Sequence, residues 1–398
     1  MATGIPEPVE GSKLKVAVVG CGNIGNRHAA GYLATGRTEL VGVADVIKER
    51  AEGYADKYGS HAYGSAKELL AEQRPDLVSV PTPPGTHAEI ALEALAAGAS
   101  VLLEKPPVLS LAELDQLARA EAESTGKVYV IFQHRHGSGA QRAHRLLAGG
   151  DLGTPRVAVC ETLWFRPRSY FDPDWRGTWV GEGGGPTLGH GIHQIDLLLH
   201  LLGPWKTLTA TAVRLDRPVQ FEDVSLATMI FENGAVGTVI NSLLSPDELS
   251  RIRIDTDGGS LEVDHLYGYA DADWKFRPAP DAVRAASFGL NPGDRDAGDP
   301  DAGGGIATDP WTASAGEDAP SNHQAQISRL VDDLLAGRTH ETTLASTRPT
   351  MEFVSALYAS ALTGGPIDRA DLVPGHPFYA ALNGGVDQDV IDKAMIIT

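Results

Sequence analysis

Cysteine and long apolar runs are both scarce in this sequence. Cys21 and Cys160 are the only cysteines among 398 residues, too few for a disulfide framework, which favours a reducing cytoplasm. No stretch approaches the roughly 18–20 apolar residues of a membrane-spanning helix. The polar segment from Met1 to Lys15 contains no apolar core of a signal peptide. We therefore expect a cytoplasmic protein with no membrane partner.

Positive charge is also in short supply. Lys and Arg number 33 against 52 Asp and Glu, which gives a formal net charge of -19. Nucleic acids and anionic membranes bind proteins through clustered Lys and Arg, so neither is an expected partner. Hydrophobic residues make up 42% of the chain, which is ample for a core, and the length predicts two domains.

A glycine-rich motif follows the first predicted strand. The run at 15–19 leads into the motif at 20–25, and a helix is predicted from Asn26 to Thr35. In this setting the first glycine makes a tight turn, the second admits a pyrophosphate and the third lets the helix approach the strand. Phosphates would then lie on free backbone N–H groups at the helix N-terminus. The motif predicts a dinucleotide held by Gly20, Gly22, Asn23, Ile24 and Gly25, with a plain tight turn as the alternative.

An acidic residue follows the second predicted strand, at 39–44. Asp45 lies twenty residues past Gly25, the spacing at which a carboxylate accepts hydrogen bonds from the adenosine ribose. A carboxylate there repels a 2′-phosphate, which favours NAD over NADP. Lys48 and Arg50 lie close enough to leave use of NADP open. An exposed acid without a ligand is the alternative interpretation.

A lysine ends another predicted strand. The apolar run at 101–103 leads into Glu104-Lys105-Pro106, and Lys is rarely buried without a partner. Strands alternate with helices up to this region, which predicts a doubly wound parallel sheet in a Rossmann domain over residues 1–134. The carboxyl ends of parallel strands border one crevice, so the glycine motif, Asp45 and Lys105 are expected to meet there. An ordinary surface loop is the alternative for the Glu-Lys-Pro segment.

The pattern changes after residue 134. Hairpins are predicted around Asn233-Gly234 and Gly258-Gly259, so residues 135–398 are expected to form an α+β domain with a large, mostly antiparallel sheet. Such a sheet offers a surface for pairing with another subunit. Helices are predicted at 323–336 and 349–362, and the Pro-, Gly- and Asp-rich stretch at 277–320 is predicted to be a long surface insertion.

Two features of the second half suggest a ligand site. Aromatic and cationic residues crowd a loop after the strand at 156–165, and together they suit polyhydroxylated or anionic ligands; an interdomain or subunit packing loop is the alternative. Farther along, a predicted helix carries His190, His193 and Asp196. His193 is interpreted as an acid or base facing the crevice, while a metal pair with His190 and a purely structural histidine are the alternatives. The substrate-binding set comprises Arg135, Trp164, Arg166, Tyr170, Arg176, Trp179 and His190, and no metal is expected.

These motifs together resemble the Gfo/Idh/MocA oxidoreductase family over nearly the whole chain. The features that match are the glycine motif, Thr82-Pro83 with His87, Glu104-Lys105-Pro106 and Gly191-Ile192-His193-Gln194-Ile195-Asp196, and the segment from Trp175 to Trp179 resembles the branch acting on sugars and sugar nucleotides, including C3 dehydrogenases. The resemblance implies that Thr82, Pro83, His87 and Glu104 also contact NAD or NADP. It further implies a carbohydrate substrate and a homodimer or homotetramer.

The resemblance implies hydride transfer between a sugar carbinol carbon and the nicotinamide. His193 is then the acid/base and Lys105 stabilises the developing alkoxide, although in some relatives the lysine carries the proton. A non-catalytic NAD(P) sensor on the same fold and an enzyme with tightly held NAD, such as some glycosidases and sugar–sugar oxidoreductases, are the alternatives. One departure stands out: Gly189 occupies the position, four residues before the histidine, where many relatives carry Asp or Asn.

Overall fold

The computed structural model describes residues 13–280 and 309–396. Its first half begins with a strand and a helix that flank the glycine motif and continues as alternating strands and helices. The elements are β1 (Leu14–Val19), α1 (Asn23–Ala34), β2 (Thr38–Ala44), α2 (Lys48–Tyr58), β3 (His61–Tyr63), α3 (Ala66–Gln73), β4 (Leu77–Val80), α4 (His87–Ala96), β5 (Ser100–Leu103), α5 (Leu111–Glu123) and β6 (Val128–Val130).

These strands form a parallel sheet in the order β3-β2-β1-β4-β5-β6. Every residue of β4 and β5 is buried, as a strand covered on both faces by helices requires. The chain order reverses on either side of β1, so β1 and β4 flank the crevice where such sheets bind ligands. The predicted doubly wound domain is confirmed.

One local prediction in this half needs a small correction. Helix α1 begins at Asn23 rather than Asn26, because the last turn of the glycine motif already has helical geometry and Gly22 is the N-cap. Ser110 caps α5 by accepting from the Glu113 N–H at 3.1 Å. The Glu113 carboxylate accepts from the N–H of Leu109 at 2.7 Å.

The second half is built on a larger sheet. Its elements are α6 (Ser138–Gly149), β7 (Pro155–Phe165), α7 (Ile192–Leu202), β8 (Trp205–Val213), β9 (Val224–Phe231), β10 (Val236–Ser242), β11 (Leu244–Thr256), β12 (Gly259–His265), β13 (Trp274–Pro278), α8 (Pro310–Ala313), α9 (His323–Leu335), α10 (Leu344–Thr363), β14 (Ile367–Asp368), α11 (Pro377–Ala380) and α12 (Gln388–Met395).

The strand order of this sheet is β13-β12-β11-β7-β10-β9-β8-β14. β7 lies between β11 and β10, one strand from each predicted hairpin, and runs antiparallel to β11 and parallel to β10; the other pairs are antiparallel. The prediction of an α+β domain with a mostly antiparallel sheet is confirmed. A buried face of this sheet packs on α7 and α10, whose apolar residues join the same core.

The C-terminal part contains one helix that is longer than predicted and one predicted segment that is only partly described. Helix α10 begins at Leu344 rather than Pro349: Thr343 caps it by accepting from the Ser346 N–H at 3.2 Å, and Pro349 lies inside the helix. Most of the predicted insertion at 277–320 lies outside the described residues. Its described end contains α8, and Trp311 there is buried against Trp274 and Arg142.

The chain returns to the first domain after the second sheet. Helix α9 packs on α1, with Ile327, Leu330 and Val331 in one core with Val16 and Val18. The Val130 N–H donates to the Thr342 carbonyl at 2.9 Å. The predicted division at residue 134 stays a prediction, but α9 belongs with the first domain by its contacts. Of the helices in the described residues, none combines the length and the apolarity that crossing a membrane takes.

Candidate active site

The three glycines of the motif have three different environments. Gly20 adopts a φ of +111°, and an added Cβ would lie 2.9 Å from Thr82 Cγ2. A Cβ on Gly25 would lie 2.0 Å from the Gly20 carbonyl oxygen, so no side chain fits there. Gly22 is exposed, and apart from its chain neighbours its Cβ would meet no heavy atom of the described residues within 4 Å. The loop is therefore tightly packed at both ends and open in the middle, beside the exposed Asn23 and Ile24.

Asp45 is fixed to this loop by its carboxylate. One oxygen accepts from the Cys21 N–H at 2.8 Å and the other from the Ile47 N–H at 2.8 Å. Burial, with the charge of Asp45, raises the pKa of Cys21 to about 12, so its thiol stays protonated and unreactive. The open space at Gly22, the helix N-terminus and the acid at the end of β2 fit a dinucleotide.

Lys105 lies just past the end of β5 and connects the two domains. Its Nζ donates to the carbonyl oxygen of Gly189 at 2.7 Å, in the helical turn that leads to His193. Burial lowers the pKa of Lys105, and the charges of Glu104 and Glu182 oppose that change. The ammonium therefore lies within electrostatic range of both the crevice and the second domain.

Glu104 is held inside the protein by two histidines. His28 from α1 and His323 from α9 each donate from Nε2 to Glu104 Oε1 at 2.9 Å, and His28 also contacts Ser79 Oγ at 3.0 Å. Burial alone would raise the pKa of Glu104, but His323 and His28 hold it well below its usual range. The nitrogen and oxygen atoms that these three side chains could offer to a metal ion lie within 4.8 Å of one another. Among the described residues, this is the one group of His, Cys, Asp or Glu side chains with that spacing.

The residues after β4 support the same edge. His87 is fully buried, and its ring nitrogens face the carbonyl oxygens of Pro106 at 2.8 Å and Thr82 at 2.9 Å. It therefore fixes the Thr82-Pro83 loop to the segment that carries Lys105. Thr82 Oγ1 accepts from Thr86 Oγ1 at 2.8 Å.

His193 lies in the first turn of α7, directly after a π-helical turn at Thr187–Gly191; such turns recur at functional sites. Its side chain is 2% exposed and its Nδ1 has no hydrogen-bond partner in the described residues. Burial, followed by the charge of Lys105, lowers the pKa of His193 well below its usual value. The ring therefore stays neutral at pH 7, which leaves one ring nitrogen free to accept a proton, although the lowered pKa makes it a weaker base than an exposed histidine. The structure thus brings Lys105 and His193 together.

The aromatic loop forms one wall beside this pair. The rings of Trp164 and Tyr170 lie 5.0 and 5.9 Å from the ring of His190. The guanidinium of Arg176 stacks 3.8 Å over Tyr170, and that of Arg166 lies 4.7 Å over Trp164. Burial and then Lys105 lower the pKa of His190 well below its usual value, with smaller effects from both arginines. Five of the seven residues assigned to substrate binding therefore form one cluster.

The other two lie elsewhere. Arg135 is 4% exposed and donates from Nε to Asp196 Oδ2 at 2.7 Å and from Nη2 to Asp196 Oδ1 at 2.5 Å. Trp179 packs against Phe221 and Tyr358, with ring centroids 5.5 and 5.2 Å away. Within the described residues, the side-chain contacts found for these two residues are with residues outside the cluster around His190.

Sequence reasoning missed several residues of the site. The ring of His134 lies 5.3 Å from that of His193, and Tyr267 lies 5.8 Å from it. His134 follows β6 in the same way that Lys105 follows β5. Its position after a parallel strand could therefore have predicted that it belongs to the site. Glu182, His323 and Tyr267 come from loops or later helices, and no local pattern distinguishes them.

Two family profiles match the chain. One, described as an oxidoreductase family with an NAD-binding Rossmann fold (GFO_IDH_MocA), covers residues 14–132. The other, the GFO/IDH/MocA C-terminal domain, covers residues 140–262.

Individual proteins are similar as well. D-glucoside 3-dehydrogenase of Escherichia coli (strain K12) is 33% identical over 198 residues, 48% of this chain and 55% of that protein. UDP-N-acetylglucosamine 3-dehydrogenase of Acidithiobacillus ferrooxidans is 31% identical over 254 residues, 64% of this chain and 74% of that protein. The WlbA dehydrogenase from Bordetella pertussis, solved with NADH and UDP-GlcNAcA, shares the fold with a TM-score of 0.74 at 22% identity, over 89% of this chain and 98% of that one.

Proposed function

Because this chain belongs to the Gfo/Idh/MocA oxidoreductase family, we propose that it transfers a hydride between a secondary alcohol of a sugar or sugar derivative and NAD or NADP. C3 of a hexose ring, as a glycoside or a nucleotide sugar, is the proposed position, since two similar proteins are named 3-dehydrogenases. The observation that carries the proposal is the contact of the Lys105 ammonium with Gly189, four residues before His193.

The N-terminal domain is an NAD-binding Rossmann domain. We assign the pyrophosphate to the open space at Gly22 and the N-terminus of α1, and the adenosine ribose to Asp45. Bound NAD would supply the nicotinamide carbon that takes up or returns the hydride. A carboxylate at Asp45 disfavours a 2′-phosphate, which supports NAD over NADP.

Proton transfer is the part assigned to this chain's own residues. Loss of hydride from a carbinol carbon requires removal of the hydroxyl proton, and a neutral imidazole accepts a proton at physiological pH. His193 is neutral because burial and Lys105 lower its pKa. Lys105 has three N–H donors and gives one to Gly189, so it retains donors for the alcohol oxygen and for the negative charge that develops there.

The wall of aromatic and cationic residues is proposed to hold the sugar. Trp164 and Tyr170 offer flat apolar faces to the C–H groups of a ring, and Arg166 and Arg176 offer donors to hydroxyl, phosphate or carboxylate oxygens. The ring of His190 is close to both aromatic rings. This combination supports a substrate that is polyhydroxylated, with room for an anionic group.

The experiment is NADH formation by the wild type with free sugars, glycosides, inositols and nucleotide sugars. We expect Lys105→Met and His193→Ala each to reduce kcat about 10²–10⁴-fold, while fluorescence titration shows NADH binding retained. Lys206→Met and His61→Ala alter the same residue types at exposed positions and are expected to leave kcat unchanged. Near-normal turnover in either site variant would contradict the assignment, and a sensor would tolerate both changes.

We also propose that the chain forms a homodimer or homotetramer through the open face of the second sheet. Ile230, Val236 and Val157 lie side by side on three neighbouring strands and are 43–45% exposed. Exposed apolar residues in a contiguous row are typical of an interface. Val236→Asp is expected to shift the mass measured by light scattering to that of a monomer; an unchanged mass would point to another surface.

A further inference from the structure

A buried carboxylate that the proposed function does not use lies beside Lys105. Glu182 is 7% exposed. Its Oε1 accepts from Arg176 Nη1 at 2.9 Å, and its Oε2 accepts from the Gly177 N–H at 2.9 Å. Burial raises the pKa of Glu182, while the Gly177 N–H, Arg176 and Lys105 oppose that rise; the carboxylate therefore lies within electrostatic range of Lys105.

The loop that carries Glu182 fixes its direction. The Glu182 N–H donates to the Thr178 carbonyl at 3.0 Å. A Cβ on Gly181 would lie 2.2 Å from the Trp175 carbonyl oxygen, so two segments of the loop touch through backbone atoms. The carboxylate is therefore presented by a tightly folded segment, and little reorganisation would accompany ligand binding.

An open space separates Glu182 from the turn that Lys105 contacts. Apart from its chain neighbours and the backbone of its own helical turn, a Cβ added to Gly189 would find one heavy atom of the described residues within 4 Å, Glu182 Oε1 at 4.0 Å. Gly189 is partly accessible, and its φ lies outside the left-handed region. The carbonyl oxygen of the same residue accepts from Lys105 Nζ at 2.7 Å. The missing side chain thus leaves a space with a carboxylate at its border, at the residue whose carbonyl oxygen holds the Lys105 ammonium.

The hydrogen-bonding capacity of these two groups is only partly used. A carboxylate offers about four acceptor positions, and Glu182 uses two of them within the described residues. A hydroxyl group both donates and accepts, so it matches a carboxylate on one side and an ammonium on the other. On the basis of the proposed function, we propose that Glu182 binds a hydroxyl group of the carbohydrate and, together with Lys105, orients the sugar for hydride transfer.

The test uses the open space at Gly189. We expect Glu182→Gln to weaken carbohydrate binding and kcat/KM about 10–100-fold, because a charge-assisted hydrogen bond to the substrate is lost. Gly189→Asp places a carboxylate in the same space from the other side. The double variant Glu182→Gln with Gly189→Asp should therefore bind the carbohydrate, and show a kcat/KM, at least tenfold better than Glu182→Gln alone. In the wild-type background two carboxylates would crowd one another, so Gly189→Asp alone should lower activity.

Matched variants separate this role from a structural one. Gly189→Ala fills the space without a carboxylate and should give no restoration in the Glu182→Gln background. Glu161→Gln removes a carboxylate that pairs with Arg251 on the second sheet and should leave kcat/KM unchanged. Melting temperature and NADH binding report whether each variant is folded. Equal behaviour of the two double variants, or wild-type carbohydrate binding in Glu182→Gln, would overturn the proposal.

Binding keeps this test distinct from that of the proposed function. Carbohydrate affinity is measured by calorimetric titration of the NADH-bound enzyme, and this measurement requires no turnover. The ligand is the panel carbohydrate that binds the wild type most tightly. Absence of NADH formation by the wild type across the panel would overturn the proposed reaction. The assignment of Glu182 is then judged by whether Glu182→Gln weakens carbohydrate binding and whether adding Gly189→Asp restores it.

Discussion

Substitutions at Gly22 and Gly25 should separate cofactor binding from folding. Apart from its chain neighbours, a Cβ on Gly22 meets no heavy atom of the described residues within 4 Å, and the backbone there is extended, with φ −93° and ψ −174°. Alanine is therefore sterically allowed, and the free energy of unfolding should change by no more than ~1 kcal/mol. The same Cβ occupies the space assigned to the pyrophosphate. Loss of one charge-assisted hydrogen bond there corresponds to a roughly tenfold or greater rise in the Kd for NADH.

Gly25 should behave in the opposite way. Its Cβ would lie 2.0 Å from the Gly20 carbonyl oxygen, about half of a normal carbon–oxygen van der Waals contact of roughly 3.5 Å. Helix α1 must move away from β1 to relieve the overlap, and overpacking of this kind typically costs ~1–3 kcal/mol. Gly25→Ala is therefore expected to lose stability as well as NADH affinity.

The assays are urea denaturation for stability and NADH fluorescence titration for affinity. Gly53→Ala is the control, because Gly53 lies within α2 and its Cβ also meets open space; it should bind NADH normally and gain up to about 1 kcal/mol of stability. The reasoning is refuted if Gly22→Ala binds NADH as the wild type does, or if Gly25→Ala denatures at the wild-type urea concentration.

Three further changes test other parts of the structure. Asp196→Asn leaves the buried Arg135 guanidinium without its counter-charge and should lower the free energy of unfolding by ~3–5 kcal/mol in urea. Burial, with Arg135 and His144, lowers the pKa of His200 to about 2, so below pH 6.5 the unfolded chain takes up a proton there that the folded protein does not. Stability should fall as pH decreases from 6.5 to about 4, and His200→Leu should reduce that slope by ~1.4 kcal/mol per pH unit, measured by denaturation at each pH. Arg176→Lys removes the planar stack on Tyr170 at 3.8 Å and should raise KM for the carbohydrate roughly tenfold with kcat retained, measured by steady-state kinetics.

Local patterns predicted the first domain well because its rules are local. A buried strand, a glycine turn and a helix succeed one another within thirty residues, and β4 has the bounds expected from its apolar run. Helix α10 was harder: Pro349 signals a boundary by itself, yet the cap at Thr343 and the core packing of the preceding turn extend the helix through it. The parallel pairing of β7 with β10 depends on contacts distant in sequence, which no local pattern encodes.

The candidate site likewise combines residues that local patterns predict with residues that only the three-dimensional fold brings together. Lys105, Asp45 and the glycine motif were predictable because parallel strands end at one edge of a sheet. Glu182 and His323 reach the site only through the fold, one on a loop closed by backbone contacts and the other on a helix that returns to the first domain. Gly189 was visible in the sequence as a missing side chain. The carboxylate beside that space became visible only in three dimensions.

The choice between Lys105 and His193 as proton carrier is best treated as a property of the pair. Burial and then the charge of Lys105 lower the pKa of His193, and burial lowers the pKa of Lys105 itself. A proton that leaves Lys105 therefore removes a charge that keeps the imidazole neutral, and His193 becomes a stronger base. Groups coupled in this way titrate together, so apparent pKa values from a pH–rate profile belong to both residues. Removal of either group changes the proton affinity of the other, which makes the effects of the two substitutions non-additive.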